Sequence, residues 1–315
     1  MFPGSRFKIA VFCSLYKLTQ SLQFSRFAGH MTLQPDEGAP MTTADSPSSP
    51  RSEEPKDPSY LIFDTESVPD GRLVRLVKYP KDSISDAEAI QKAQVEARER
   101  YGTDFLPVSF QIPVAICVIR VDADFRLQSI TNLGAPDFHP GDITKKFWHG
   151  ISLYPRAELV TYNGRCFDLP LLELAAFRYG HSAQGYFLRT RDRYRGNHTD
   201  LLELFSNFGA VRLAGGLNLL SKILGKPGKM DVTGDQVYAM YQEGKKQEIS
   251  DYCMFDTLDT YFVFLRSRVL TGQLTLEQEQ VLVRDEARAW IAAKVGEIPA
   301  LQQYLDNWGA WEPWP

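Results

Sequence analysis

The stretch "SYLIFDTESVPDG", residues 59–71, constrains the fold more than any other part of the chain. Tyr60, Leu61, Ile62 and Phe63 make an apolar run that reads as a strand, and it leads directly into Asp64 and Glu66. Residues at i and i+2 of a strand point to the same face. The strand therefore carries two neighbouring carboxylates where it leaves the core.

The segments that follow supply partners for such a strand. "QIPVAICVIRVD" (111–122) reads as a buried strand and "RLQSITNLG" as its hairpin partner. "AELVTYNG" (157–164) is a further strand ending in a turn, and "FDLPLLELAAFRYG" (167–180) a helix closed by Gly180. Pro170 is tolerated in the first turn of that helix. A helix is expected near 141–150, and "HTDLLELFS" begins a mostly helical remainder with one long helix over 245–270 and another over about 275–295. The order β-β-β-α-β-α-β followed by helices predicts an α/β fold, a mixed sheet of about five strands with helices on both sides. "DSISDAEAIQKAQVEARERYG" (82–102) reads as a polar helix capped by Asp82 or Ser83 and stopped by Gly102. It forms an insertion, about 77–106, over one edge of the site. There is no internal repeat.

Residues 1–58 are expected to lie outside the folded domain. Residues 32–58 are rich in Pro, Ser, Asp and Glu and read as disordered. The first 30 residues are basic and lack acids. An organelle transit peptide, a secretory signal, and a mispredicted start with translation from Met31 or Met41 all fit this composition. The four cysteines, Cys13, Cys117, Cys166 and Cys253, have no zinc-type spacing. They are expected to be reduced thiols in a cytoplasmic protein, with Cys166 in packing. No apolar run is long enough to cross a membrane. The net charge of −4 argues against coating long nucleic acid electrostatically, though not against gripping a short end.

Further acids fall at the ends of elements. Asp168 opens the helix after "TYNGRC", and Asp256 lies four residues after Tyr252 in the long helix, on the same face. Carboxylates brought together raise one another's pKa and need cations to stay ionised. Oxygen ligands alone select hard ions such as Mg²⁺ or Mn²⁺, and two such ions side by side form a clamp suited to phosphodiester hydrolysis. Taken singly, Asp64 and Glu66 are also a turn signal, Asp168 a helix N-terminal acid, and Asp256 with Asp259 a solvated face.

In order along the chain, "FDTES", "LVTYNGRCFDLPLL" and "YCMFDTLDTY" resemble the three motifs of the DEDD 3′–5′ exonucleases, in the tyrosine subclass. The resemblance is nearest to the predicted exonucleases similar to the proofreading domain of family B DNA polymerases, and covers about residues 60–268. It implies an RNase H-like fold, a 59–270 exonuclease domain with a 271–315 helical extension, and a two-metal hydrolase acting on single-stranded 3′ ends. Asp64, Glu66, Asp168 and Asp256 would hold two Mg²⁺ or Mn²⁺ ions, and Tyr252 would orient the attacking water. Thr65, Asn163 and Phe167 would touch substrate. DNA and RNA both remain open as the polymer, as does a noncatalytic nucleic-acid-binding module of the same fold.

Arg189, Arg191, Arg193 and Arg195 alternate in "LRTRDRYRGNH". In an extended segment they would share one side and could reach phosphates; Arg189 and Arg191 are the nearest candidates, and a solvated edge is the alternative. Tyr194 could stack on a base. "KILGKPGK" offers Lys222, Lys226 and Lys229 but lacks the spacing of a nucleotide-triphosphate loop. His198 reads as a structural histidine, and Asp200 as a supporting acid or helix cap.

Overall fold

The structure, a computed structural model, describes residues 57–230 and 234–313. The expectations for the first 56 residues, Cys13 included, lie outside them. Five strands form one sheet: β1 (Tyr60–Pro69), β2 (Gln111–Val121), β3 (Leu127–Leu133), β4 (Glu158–Thr161) and β5 (His198–Asp200), in the order β3-β2-β1-β4-β5. β2 runs antiparallel to β1 and β3, whereas β4 is parallel to β1 and β5. This is the RNase H-like arrangement, and it places β1 at the centre.

β1 is apolar without alternation because both its faces are covered. Leu61 and Phe63 pack with Ile116, Phe147 and Leu172 on one side, against α3 (Pro140–Leu153) and α4 (Asp168–Tyr179). Ile62 packs on the other with Val160, Cys253 and Leu258, against α9 (Lys246–Leu270). That helix is buried along most of its length from Ile249 to Arg268. No helix among the described residues is long and apolar enough to cross a membrane.

The insertion starts earlier than its composition suggests. Asp70 caps a helix of its own, α1 (Gly71–Lys78), by accepting from the Leu73 N–H at 3.1 Å. α2 (Asp86–Tyr101) begins at Ser85, not at Asp82 or Ser83, because Ser85 and Glu88 complete a reciprocal capping box. Asp82 instead pairs with Lys92 at 2.7 Å. Gly102 ends the helix at φ +74°, as its sequence position indicates. Val74, Tyr79, Ala89, Ala93, Ala97 and Leu106 form a small core between the two helices.

α5 (Gln184–Arg189) and α6 (Leu201–Phe205) flank β5, and α7 (Gly216–Ile223) and α8 (Val237–Gln242) precede α9. Beyond α9, the expected single helix is α10 (Leu276–Val281), a π-helical stretch over Leu282–Ala287, α11 (Arg288–Lys294) and, separately, α12 (Leu301–Asp306). Ile291, Leu301 and Tyr304 from this region enter the same core as Phe262 and Leu265 of α9. The Tyr304 hydroxyl donates to buried Asp259 at 2.7 Å, so Asp259 belongs to the interior rather than to a solvated face. Buried Lys226 rests 4.1 Å from the Trp308 ring centroid and 5.2 Å from that of Phe262, a cation held by aromatic faces.

The turn after β4 is held by side chains. His198 Nε2 meets Thr161 Oγ1 at 2.8 Å, and the same hydroxyl accepts from the Gly164 N–H at 3.2 Å. A Cβ at Gly164 would collide with Thr161. Burial, and then the nearby Arg165 charge, push the His198 ring down to about 3, so it is neutral and structural.

Two outcomes follow. Tyr304→Phe removes one donor from the buried Asp259 carboxyl, which keeps Ser221 and the Gly228 N–H, and should cost about 1 kcal/mol in urea denaturation. For His198, the unfolded ring takes up a proton near pH 6.5 and the folded ring does not. Its contribution to stability is complete above that pH and declines as pH falls toward 3. Between pH 7 and pH 4 the wild type should lose more stability than His198→Gln, measured by the same titrations.

Candidate active site

Three elements bring acids together. Asp64 and Glu66 leave the central strand β1, and a register shift between Glu66 and Ser67 marks a bulge immediately after them. Bulges re-aim side chains where a strand leaves its ladder. Asp256 comes from α9, which Cys253 ties to β1 by a thiol contact to the Asp64 carbonyl at 3.3 Å. Oxygens of Asp64, Glu66 and Asp256 lie within 4.8 Å of one another.

Asp168, the first residue of α4, stands outside that group of three but not far from it. It is 3% exposed, and its charge is among those that raise both Asp64 and Glu66. Its Oδ1 accepts from the Thr65 hydroxyl at 2.6 Å. The hydroxyl of Thr65, a residue expected to touch substrate, thus holds an acid.

The electrostatics are those of a crowded anionic site. Burial, then Asp168, Glu66 and Asp256, raise Asp64 well above the carboxylate range. Burial, then Asp256 and Asp168, do the same to Glu66. Asp168 and Asp256 are each pushed up to about 7, chiefly by burial. A set of hard, like-charged oxygen donors this close fits divalent cations of the Mg²⁺ or Mn²⁺ kind. Tyr252, one turn before Asp256, is buried, and burial followed by the charges of Asp256 and Glu66 raises its phenol. It is a neutral hydroxyl beside the acids.

A cavity of about 480 Å³ opens on this cluster, lined by Asp64, Asp256 and Asp259 and by Tyr162, Gly216 and Lys229. Lys229 is the cation here, and its charge lowers both Glu66 and Asp256. In the sequence it was visible only as part of a failed phosphate-loop pattern. Tyr162 was inconspicuous; its hydroxyl is buried with no hydrogen-bond partner among the described residues.

The turn leading to Asp168 is built around Asp200. Asp200 accepts from the N–H groups of Asn163 at 2.9 Å and Arg165 at 3.0 Å, and caps α6 through Leu202 at 3.0 Å. It is therefore a helix cap and a turn clamp together. Asn163 adopts the left-handed conformation, φ +68°, which asparagine tolerates. Phe167, next to Asp168, places its ring 5.7 Å from that of Phe105.

The arginine stripe does not form. Arg189 ends α5 and lines a separate cleft with Trp148, His149 and His181. The chain then turns rather than extending: Asp192 accepts from the Tyr194 and Arg195 N–H groups. Arg191 forks onto Glu173 at 3.1 and 3.2 Å, and Arg193 pairs with Glu203 at 2.7 Å. Those two cations are neutralised within the fold. Cys166, expected in packing, is exposed.

No curated protein matches the sequence. Among solved structures, the family B DNA polymerase from the hyperthermophilic archaeon Pyrobaculum calidifontis is similar at a TM-score of 0.41 and 16% identity, over 72% of this chain and 27% of that one. Exonuclease I of E. coli in complex with a dT13 oligonucleotide gives 0.31 and 16%, over 54% and 40%. The same enzyme with a dA16 oligonucleotide gives 0.27 and 18%, over 54% and 43%. The chain thus spans less than half the length of each. The family described as predicted 3′–5′ exonucleases related to the exonuclease domain of PolB matches residues 103–308. That span is well over half of the sequence and holds Asp168, Tyr252 and Asp256; β1 with Asp64 and Glu66 precedes it. By that match the chain belongs to this family of predicted 3′–5′ exonucleases.

Proposed function

We propose that the chain is a metal-dependent 3′–5′ exonuclease of the DEDD type, tyrosine subclass, releasing nucleoside monophosphates from single-stranded DNA ends. The observation that carries this reading is the meeting of Asp64, Glu66 and Asp256 within 4.8 Å, with Asp168 near enough to raise two of them. Acids held this closely must either share protons or be offset by cations, and hard oxygen donors in such a set suit divalent ions. Asp64, Glu66, Asp168 and Asp256 would hold a pair of Mg²⁺ or Mn²⁺ ions. When bound, such ions supply Lewis-acid stabilisation of the charge that builds on the scissile phosphate.

The chain's own groups divide the remaining work. Thr65 fixes the carboxylate of Asp168. Tyr252 keeps its proton at neutral pH, so it positions the attacking water as a hydrogen-bonding hydroxyl rather than removing a proton. Asn163 and Phe167 face the terminal nucleotide, the amide toward the sugar or backbone and the ring toward the base. Residues 59–270 make up the nuclease unit in this reading, and 271–315 its extension, from which Ile291, Leu301 and Tyr304 pack against α9.

Purified protein with Mg²⁺ or Mn²⁺ should convert a 5′-labelled single-stranded DNA oligonucleotide to a ladder, faster than a matched RNA. Asp168→Ala should remove that activity. Tyr252→Phe should lower it about 10- to 100-fold, since the water keeps its other contacts. A ladder of equal rate from Asp64→Ala and wild type would overturn the proposal. Metal binding has a readout apart from activity. Mn²⁺ at about 100 times its dissociation constant should stabilise the fold by about 2.7 kcal/mol, seen as a rise in melting temperature that EDTA reverses and Asp64→Asn abolishes.

A further inference from the structure

A cavity of about 270 Å³ opens between α3 and the sheet, on the face turned away from α9. Its apolar walls are Leu61, Val118, Leu133, Phe147 and Ile151. Arg120 and Lys146 also line it, and none of its lining residues is acidic. The Arg120 side chain is held in place: its Nε donates to Ser129 Oγ at 2.6 Å and its Nη1 to the Tyr154 hydroxyl at 2.8 Å. Both partners are neutral. Among the described residues neither Arg120 nor Lys146 has an ion pair. A guanidinium has further N–H donors beyond these two. Gly150 lines the same cavity, inside α3 and on the face that carries Lys146. A glycine within a helix destabilises it relative to alanine. Neither a close approach nor a left-handed backbone accounts for this one: a Cβ there would meet no atom within 4 Å, and its φ is not positive. What the missing side chain does is leave space between helix and sheet.

We propose that this cavity is a binding site for a small apolar carboxylate, kept open by Gly150, with Arg120 and Lys146 receiving the charge. Apolar walls with a few convergent polar groups are the ordinary make-up of a small-molecule site. A cavity of about 150 Å³ holds a benzene ring, so this one has room for a fused bicyclic body or a chain of about eight carbons. A carboxylate offers a pair of oxygens to the fork of a guanidinium, and no acid of the cavity competes for Arg120. The site goes beyond the exonuclease reading and does not depend on it. It shares β1 with the acids through Leu61, but none of its lining residues belongs to the acidic cavity.

The test titrates the full chain with 2-naphthoate, octanoate and the uncharged 2-naphthylmethanol, read by calorimetry and by melting temperature. At least one of the two acids should bind and raise the melting temperature. 2-Naphthylmethanol should bind about tenfold more weakly than 2-naphthoate, the loss of one charge-assisted hydrogen bond. Gly150→Ala should raise the melting temperature of the free protein by about 2 °C, yet weaken the bound acid. Gly150→Leu fills the cavity and should weaken it about tenfold or more while the protein stays folded. Arg120→Gln should remove most of the preference for 2-naphthoate over the alcohol. Lys145→Met, on the same helix but lining a different cleft, should leave the affinity at its wild-type value. The inference is overturned if neither acid binds, if the alcohol binds as tightly as 2-naphthoate, or if Gly150→Leu keeps the wild-type affinity. Nuclease assays decide the exonuclease reading separately: an inactive protein that still binds these acids through Gly150 and Arg120 would sink that reading and leave this site standing.

Discussion

The burial of four carboxylates at one place in the fold is the constraint on which the site is organised. Each of Asp64, Glu66, Asp168 and Asp256 is pushed above the ordinary carboxylate range, with burial the largest cause in every case. Left to relax, such groups would separate, so the surrounding structure must hold them. The scaffold does so by mounting them on elements that are themselves immobilised. β1 is covered on both faces, and α9 is buried along most of its length. The Cys253 thiol bridges the two at the Asp64 carbonyl.

The turn before α4 shows how this rigidity is obtained locally. Thr161, His198 and Gly164 interlock at the end of β4, and Asp200 gathers the N–H groups of Asn163, Arg165 and Leu202. A charged acceptor shared by three donors fixes a turn more firmly than neutral contacts do. Asp168 is delivered from this turn into contact with Thr65 of β1, across 103 residues of sequence. Lys229 adds a countercharge to the cavity, reducing the repulsion on Glu66 and Asp256 without removing it. The remaining imbalance is what divalent cations would complete.

The insertion and the C-terminal helices bear on the site through different neighbours. α1 and α2 build their own small core and present the loop carrying Phe105 toward Phe167. The chain beyond α9 joins the main core through Ile291, Leu301 and Tyr304 and pairs Tyr304 with Asp259, one turn from Asp256. Asp256 is therefore supported through its helix by packing that lies outside the motifs themselves.

The sequence by itself determined the main strands, the order of the acids and the C-terminal ends of α2 and α4, because these depend on short-range rules. Apolar runs with turn residues marked β1 to β4, whereas the short polar β5 carries no such run; Gly102 and Gly180 marked the ends of α2 and α4 through a left-handed residue that glycine adopts readily. The acids stood out as an ordered set, since each taken singly has a local explanation. What it could not determine depends on partners far away in the chain. The alternating arginines looked like a phosphate-binding edge, but Glu173 and Glu203 neutralise two of them once α4 and α6 pack nearby. Thr65 and Asp259 acquired their roles from Asp168 and Tyr304, at sequence separations of 103 and 45 residues. Lys229 became part of the site's surroundings only when elements of different origin closed around it. Local pattern specifies which groups exist and which way an element turns them; only the packed tertiary structure decides which charges meet.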